Sequence, residues 1–275
     1  MTTVESLPKT YVSQSRLRVA LGTFVAIEAE ARDEDCVRKG IDAAFRAILT
    51  VQELMHPTRG NDLAAMAACP PGTPLKVHRW TFEVLKLCRR LNRASQGIFD
   101  PCLAEAPGRI ADLQLLPTDT LIARAPLSID LGGIAKGYAV DRAIDALREA
   151  GCLAGLVNAG GDLAAFGRRH QIVCGAPHQA IVVALCDAAL ATSDASDTRA
   201  LQALRPAEHR GYYDGRGGCG AVSGLATVIA ARAAIADGLT KCLLSAQREL
   251  RAALLKTFGA QQVHYPSGSA LSEPA

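Results

Sequence analysis

Ser128-Ile-Asp-Leu-Gly-Gly-Ile-Ala-Lys-Gly-Tyr-Ala-Val-Asp141 is the stretch on which the fold turns. Residues 127–131 predict a strand that carries Asp130 to its end. Gly132 and Gly133 predict a tight turn, residues 135–149 a helix and 153–157 the next strand. Glycines at such a junction let backbone amides approach a phosphate, and the helix N-terminus adds partial positive charge, to which Lys136 adds a full one. The spacing matches neither GxGxxG nor the P-loop, so neither nucleotide fold is indicated. A strand-to-helix turn that merely needs glycine accounts for the same residues.

Working outward, residues 17–30 alternate loosely and predict a strand or hairpin. Val37, Ile41, Ala44, Ile48 and Val51 recur at helical spacing behind Asp33, an N-cap whose carboxylate can accept from first-turn amides. Pro70-Pro71-Gly72 predicts a turn, and Val84, Leu85, Cys88 and Leu91 a helix ending before Gly97. Residues 101–126 hold four prolines and read as loops with short strands. Short β candidates follow at 162–166, 171–175, 180–186 and 223–230, then a helical block at 232–258. Helices and strands mix without strict alternation, which predicts α+β rather than a doubly wound sheet. The division expected is an N-terminal extension (1–16), one domain (17–260) and a C-terminal tail (261–275).

Composition narrows the function. Of 275 residues, 49% are apolar and 21% charged, the balance of a globular chain. Aromatics make up only 4%, and Lys plus Arg (30) barely exceed Asp plus Glu (27), so neither stacking platforms nor a basic footprint speaks for nucleic acid. No window reaches the length of a membrane span. The start, Met1-Thr-Thr-Val-Glu-Ser-Leu-Pro, lacks a basic segment before an apolar core, and nine cysteines without CxxC spacing read as reduced thiols. A cytoplasmic protein is expected. The six histidines form no HxH or HExxH pair and there is no GxSxG elbow, which speaks against zinc and serine hydrolases.

Three further segments carry chemistry. Asn158-Ala-Gly-Gly-Asp162 reads as a hairpin turn or as a second wall of the same ligand pocket, with Gly160 and Gly161 against the ligand. Gln96-Gly-Ile-Phe-Asp-Pro101 reads as a helix exit with a carboxylate. Ala234-Ile-Ala-Asp-Gly-Leu-Thr-Lys-Cys242 offers Asp237 and Thr240 oxygens suited to a hard ion, or Asp237 as a simple N-cap.

In this order the segments resemble the ApbE-type FAD:protein FMN transferases, over roughly residues 17–250. Leu21-Gly-Thr-Phe-Val25 stands for the family's Met-Gly-Thr, and Met55-His-Pro-Thr-Arg-Gly-Asn-Asp-Leu63 for the segment after its first long helix. Gly97-Ile-Phe-Asp-Pro101 stands for Gly-Ala-Phe-Asp-Pro, and Ala191-Thr-Ser-Asp194 for Ala-Thr-Ser-Gly. Asp130-Leu-Gly-Gly-Ile-Ala-Lys-Gly-Tyr-Ala-Val-Asp141, Asn158-Ala-Gly-Gly-Asp162 and Ala236-Asp-Gly-Leu-Thr240 complete the set.

The resemblance implies a compact α+β fold, mixed sheets flanked by helices, with FAD in a cleft and magnesium on its pyrophosphate. It implies transfer of the FMN half of FAD onto a Thr or Ser hydroxyl of an acceptor flavoprotein, with release of AMP. The alternative is an FAD-binding protein with pyrophosphatase activity or no catalysis. Leu21, Ile98, Phe99, Asp100, Asp130 and Lys136 would line the FAD site, Gly133 and Asp237 would hold the metal, and Thr240 would add an oxygen. Two positions depart from the family. Lys241 occupies the place of the metal-binding Thr, so either Thr240 serves instead or the Lys241 ammonium replaces part of the metal's charge. Gly211 stands where the family has its proposed base His. His209 lies two residues upstream, and Asp214 keeps its place; these two are the catalytic candidates.

Overall fold

The chain enters its sheet as an antiparallel hairpin, β1 (Val12–Ala20) with β2 (Thr23–Ala31), joined by a turn at Leu21-Gly22. The computed structural model describes residues 11–56, 60–103, 105–175, 180–195, 214–216 and 224–265. Helix α1 (Glu34–Met55) follows, capped by the Asp33 carboxylate, which accepts from the Cys36 amide at 2.8 Å. Its apolar stripe, Val37, Ile41, Ala44, Ile48 and Val51, is fully buried. Next come α2 (Asp62–Ala68), β3 (Pro74–Lys76), α3 (Arg79–Ala94), β4 (Leu113–Leu116) and β5 (Thr120–Ala123). The second half runs α4 (Ala135–Glu149), β6 (Ala154–Ala159), β7 (Asp162–Phe166), β8 (His170–Cys174), β9 (Ile181–Leu185), β10 (Ala188–Asp194) and β11 (Leu225–Ala230). It ends with α5 (Ala233–Ser245), α6 (Arg248–Phe258) and β12 (Gln261–Val263).

This is the α+β architecture expected, and every strand pairing among the described residues is antiparallel. Seven strands form the main sheet in the order β1-β2-β6-β7-β10-β11-β12, beside a three-stranded sheet β3-β5-β4 and the hairpin β8-β9. Helices α1, α4 and α5 cover one face of the main sheet. Strand β7 shows why both faces matter. Ala164 and Phe166 point into the main core, while Leu163 and Ala165 join Cys174, Leu185 and Leu190 in a smaller core under the β8-β9 hairpin. A strand buried on both faces loses the polar alternation of a half-exposed one. The strands extend from Val12 to Val263, reaching into the stretches set apart above as 1–16 and 261–275.

Three readings need correction. Residues 127–131 are not a strand but an extended loop with a single bridge, Cys102 to Ile129. The opposing segment contains Pro101, which accepts from the Asp130 amide at 2.9 Å but has no N–H to return. The block 232–258 is two helices, because Ala246 and Gln247 adopt extended dihedrals, with the Arg251 guanidinium taking the Ala246 carbonyl at 2.7 Å. Asp237 is not the N-cap of α5; that place belongs to Arg232, and Asp237 lies more than a turn inside the helix.

Candidate active site

Helices α4 and α5 cap each other. Neither has a side-chain cap of its own: Ile134 and Arg232 hold the two N-cap positions without bonding the first-turn amides. Instead the Asp237 carboxylate, from α5, accepts from the Gly137 amide in the first turn of α4 at 3.1 Å. The Asp141 carboxylate, from α4, accepts from the Ala233 and Ala234 amides of α5 at 2.7 and 3.0 Å. Burial pushes the Asp141 carboxyl up to about 6, against the opposing pull of the Arg232 guanidinium. The helices touch so closely that a Cβ on Gly137 would lie 2.4 Å from the Ala233 carbonyl oxygen, so glycine is required there.

This crossing assembles two lysine–carboxylate pairs. Lys136, in the first turn of α4, pairs with Asp162 at the start of β7, and Lys241 pairs with Asp237 one turn back along α5. Asp237 and Asp162 are buried, as is Thr240, whose hydroxyl contacts the Asp237 carbonyl and the Ser193 hydroxyl at 2.6 Å each. Burial, with the charge of Asp237 nearby, pushes the Asp162 carboxyl up to about 6, and the Lys136 and Lys241 ammoniums pull it back.

The Gly132-Gly133 turn closes the same corner. Asp130 Oδ1 accepts from the Gly132 amide at 2.7 Å, an Asx turn that fixes the entry to α4. A Cβ on Gly133 would lie 3.8 Å from Phe99 and from the Lys241 side chain, so three of the sequence segments meet there. Ile98 and Phe99 are buried, and Asp100 is spent on its own loop, accepting from the Cys102 and Ile110 amides at 3.0 and 3.2 Å. Against this loop lies Asp214–Arg216, whose Gly215 amide donates to the Ile98 carbonyl at 2.9 Å. Arg216 grips both Asp214 oxygens with its guanidinium, at 2.9 and 2.6 Å, and holds that carboxyl below the usual range. A carboxylate so held is a weak base. His209 lies outside the described residues.

Leu21 and the Gly160-Gly161 pair sit at neighbouring hairpin ends. Leu21 adopts a positive φ of 54°, unusual for a side chain of its size, and its amide donates to Gln52 Oε1 at 2.6 Å. The Gly160-Gly161 turn joins β6 to β7, with the Gly161 amide on Asn158 Oδ1 at 3.0 Å. A Cβ on Gly160 would lie 2.5 Å from Thr23 Oγ1, which puts this turn beside the start of β2.

The donor set does not fit a divalent ion. Asp237 has both oxygens engaged, one by the Gly137 amide and one by the Lys241 ammonium. The Thr240 hydroxyl is turned to Asp237's own carbonyl and to Ser193. Among the described residues no group of three or more His, Cys, Asp or Glu gathers as ion ligands. Asp162 Oδ1 is buried without a hydrogen-bond partner, but the other oxygen of that carboxylate carries the Lys136 ammonium, whose charge opposes a cation beside it.

Two members of this arrangement lie outside the ligand set read from the motifs. Asp162 is visible in sequence only as the last residue of Asn158-Ala-Gly-Gly-Asp162, where a hairpin explains it. Ser193 lies on β10, in the Ala191-Thr-Ser-Asp194 segment, and only the fold brings it to Thr240.

No helix among the described residues is long and apolar enough to cross a membrane. Searched against curated proteins, the chain has no significant match. Solved structures share the fold. An apo flavinyl transferase ApbE of Pseudomonas stutzeri is 22% identical, with TM-score 0.77 over 92% of this chain and 90% of its own. An ApbE protein of Thermotoga maritima is 21% identical, with TM-score 0.72 over 91% and 93%. The flavin transferase ApbE of Vibrio cholerae is 21% identical, with TM-score 0.69 over 93% of each chain. The ApbE family model matches residues 21–264. The chain belongs to the ApbE family.

Proposed function

We propose that this chain transfers the FMN moiety of FAD onto a Thr or Ser hydroxyl of an acceptor flavoprotein, releasing AMP. The observation that carries the reading is the corner where Phe99, the Gly132-Gly133 turn, Lys136 and Lys241 converge from separate segments. Membership of the ApbE family supports it, as does likeness to proteins described as flavinyl and flavin transferases.

In this reading the FAD diphosphate lies over the Gly132-Gly133 turn, with Leu21 and the Gly160-Gly161 turn as the opposite wall. Ile98, Phe99 and the Asp100 loop flank it, and Asp130 holds the turn in shape. The acceptor oxygen attacks the phosphorus of the FMN half, the bond to AMP breaks, and the lysine N–H donors and backbone amides at the corner stabilise the phosphate oxygens in the transition state. The acceptor's proton goes to His209; Asp214, already held by Arg216, orders the facing loop instead. The family's magnesium has no place here beside Lys241, and no step is assigned to it.

Incubating the purified protein with FAD and a flavoprotein domain bearing a Thr or Ser flavinylation site tests this. The expected result is fluorescent flavin covalently on the acceptor, with a mass gain of one FMN. Free FMN and AMP with no adduct would make it a pyrophosphatase. Bound FAD left intact would make it a binding protein.

A further inference from the structure

We infer that Lys241 is a resident cation standing in for the divalent metal, so that the chain grips the FAD diphosphate without one. This rests on the flavin reading above. The argument starts from geometry. Asp237 and Lys241 are four residues apart on α5, a spacing that brings side chains into contact, and the ammonium lies on the one Asp237 oxygen not spent on capping α4. The same side chain runs past Gly133, 3.8 Å from where a Cβ would be, so it fills the space between the carboxylate and the turn. With its side chain mostly buried, Lys241 is not a surface lysine that happens to fold inward.

A divalent ion and an ammonium cannot share one carboxylate oxygen, because like charges at contact distance repel strongly away from bulk water. Lysine offers three donors and no acceptor, so it suits phosphate oxygens as a point charge. Asp162 and Asp237 are balanced by Lys136 and Lys241, so the corner stays neutral until a diphosphate arrives. One ammonium supplies half the charge of the ion it replaces. The anion is therefore held mainly by lysines and backbone, with no metal to release or recruit.

The test uses the full-length protein. FAD binding, followed by flavin fluorescence, is expected to be the same in EDTA and in excess magnesium. A loss of about tenfold or more in EDTA would overturn the inference. Calorimetric titration with Mn2+ and no flavin is expected to be silent for the parent protein, and Lys241→Thr, which restores an oxygen donor beside Asp237, is expected to bind the ion. Metal uptake by the parent also overturns it. Lys241→Met should lose about tenfold or more of the metal-free FAD affinity, the usual worth of a hydrogen bond to a charged group; unchanged affinity counts against the role. If Lys241→Thr does not fold, the parent measurements and Lys241→Met decide. If the parent binds no FAD under either condition, the flavin reading has failed, and the Mn2+ titrations alone still judge Lys241.

Discussion

Lys136–Asp162 ties α4 to β7 across 26 residues of chain, whereas Lys241–Asp237 closes within a single turn of α5. Both carboxylates are almost wholly buried, but the lysines are not alike: the Lys136 side chain is 34% exposed and that of Lys241 15%. The first pair joins two elements and keeps a lysine at the open side of the corner. The second needs no tertiary partner to form, yet its carboxylate also caps a neighbouring helix. Both carboxylates therefore tie α4 to another element, Asp162 through the Lys136 ammonium and Asp237 through the Gly137 amide, but only Asp237 does so through the backbone.

The sharpest way to break that contrast is Asp237→Ala. It strips the cap from α4 and removes a buried carboxylate that is ion-paired with Lys241, so a loss of about 3–5 kcal/mol is expected in urea unfolding. Asp237→Asn, which can still accept from Gly137, should lose clearly less. Equal losses would mean that the cap contributes little.

Lys136→Met comes next, with an expected loss of about 2–3 kcal/mol at neutral pH, because the buried Asp162 loses a hydrogen-bonded counter-charge and must stay charged or take up a proton. The sign of its pH dependence follows from the raised carboxyl. In the folded protein Asp162 binds its proton more tightly than an unfolded aspartate does, so its contribution is full below the ordinary carboxylate value. It is lost as pH rises through about 6. Removing Lys136 steepens that fall, and unfolding measured across this range should show the variant approaching the parent as pH drops. A constant gap would refute the pairing.

Asp141→Ala removes the reciprocal cap and should cost about 1–2 kcal/mol, with thermal melting as the readout. The smallest effect expected lies away from the corner. Burial, helped by the nearby Arg168, lowers the His170 pKa, so its contribution is present above the usual histidine value and lost as pH falls through the folded one. His170→Leu should flatten that slope by about 1 kcal/mol or less. Were it to act on FAD binding as well, the small core around His170 and the lysine corner would be coupled rather than separate.

Legibility in the sequence followed the same divide between local and long-range causes. Helix α4 runs from Ala135 to Glu149 as its pattern predicts, because the glycine turn before it and the Gly151 after it are local signals. The Asp33 cap of α1 is local too. Strand β10 was missed because Ala188–Asp194 is alanine-rich and only its neighbours β7 and β11 on either side make it a strand. The expected strand at 127–131 failed for the opposite reason, a pattern with no adequate partner. At the site, the resemblance predicts which segments meet, and Lys241 stands out only against the family's pattern, where a Thr holds that place. What the motifs could not carry was the pairing: that Asp162 takes Lys136, that Asp237 serves α4, and that Arg216 occupies Asp214 all depend on residues brought together by the fold.

The mutual capping of α4 and α5 has a dynamic consequence. The Gly137 amide of α4 and the Ala233 and Ala234 amides of α5 find their acceptors on the other helix, so the two first turns should open and close as one cooperative unit. Amide hydrogen exchange would register this as matched protection at Gly137, Ala233 and Ala234, although they lie about a hundred residues apart in the chain. Since α4 carries Lys136 and α5 carries Lys241, a half-assembled corner with only one ammonium in place would be a rarely populated state.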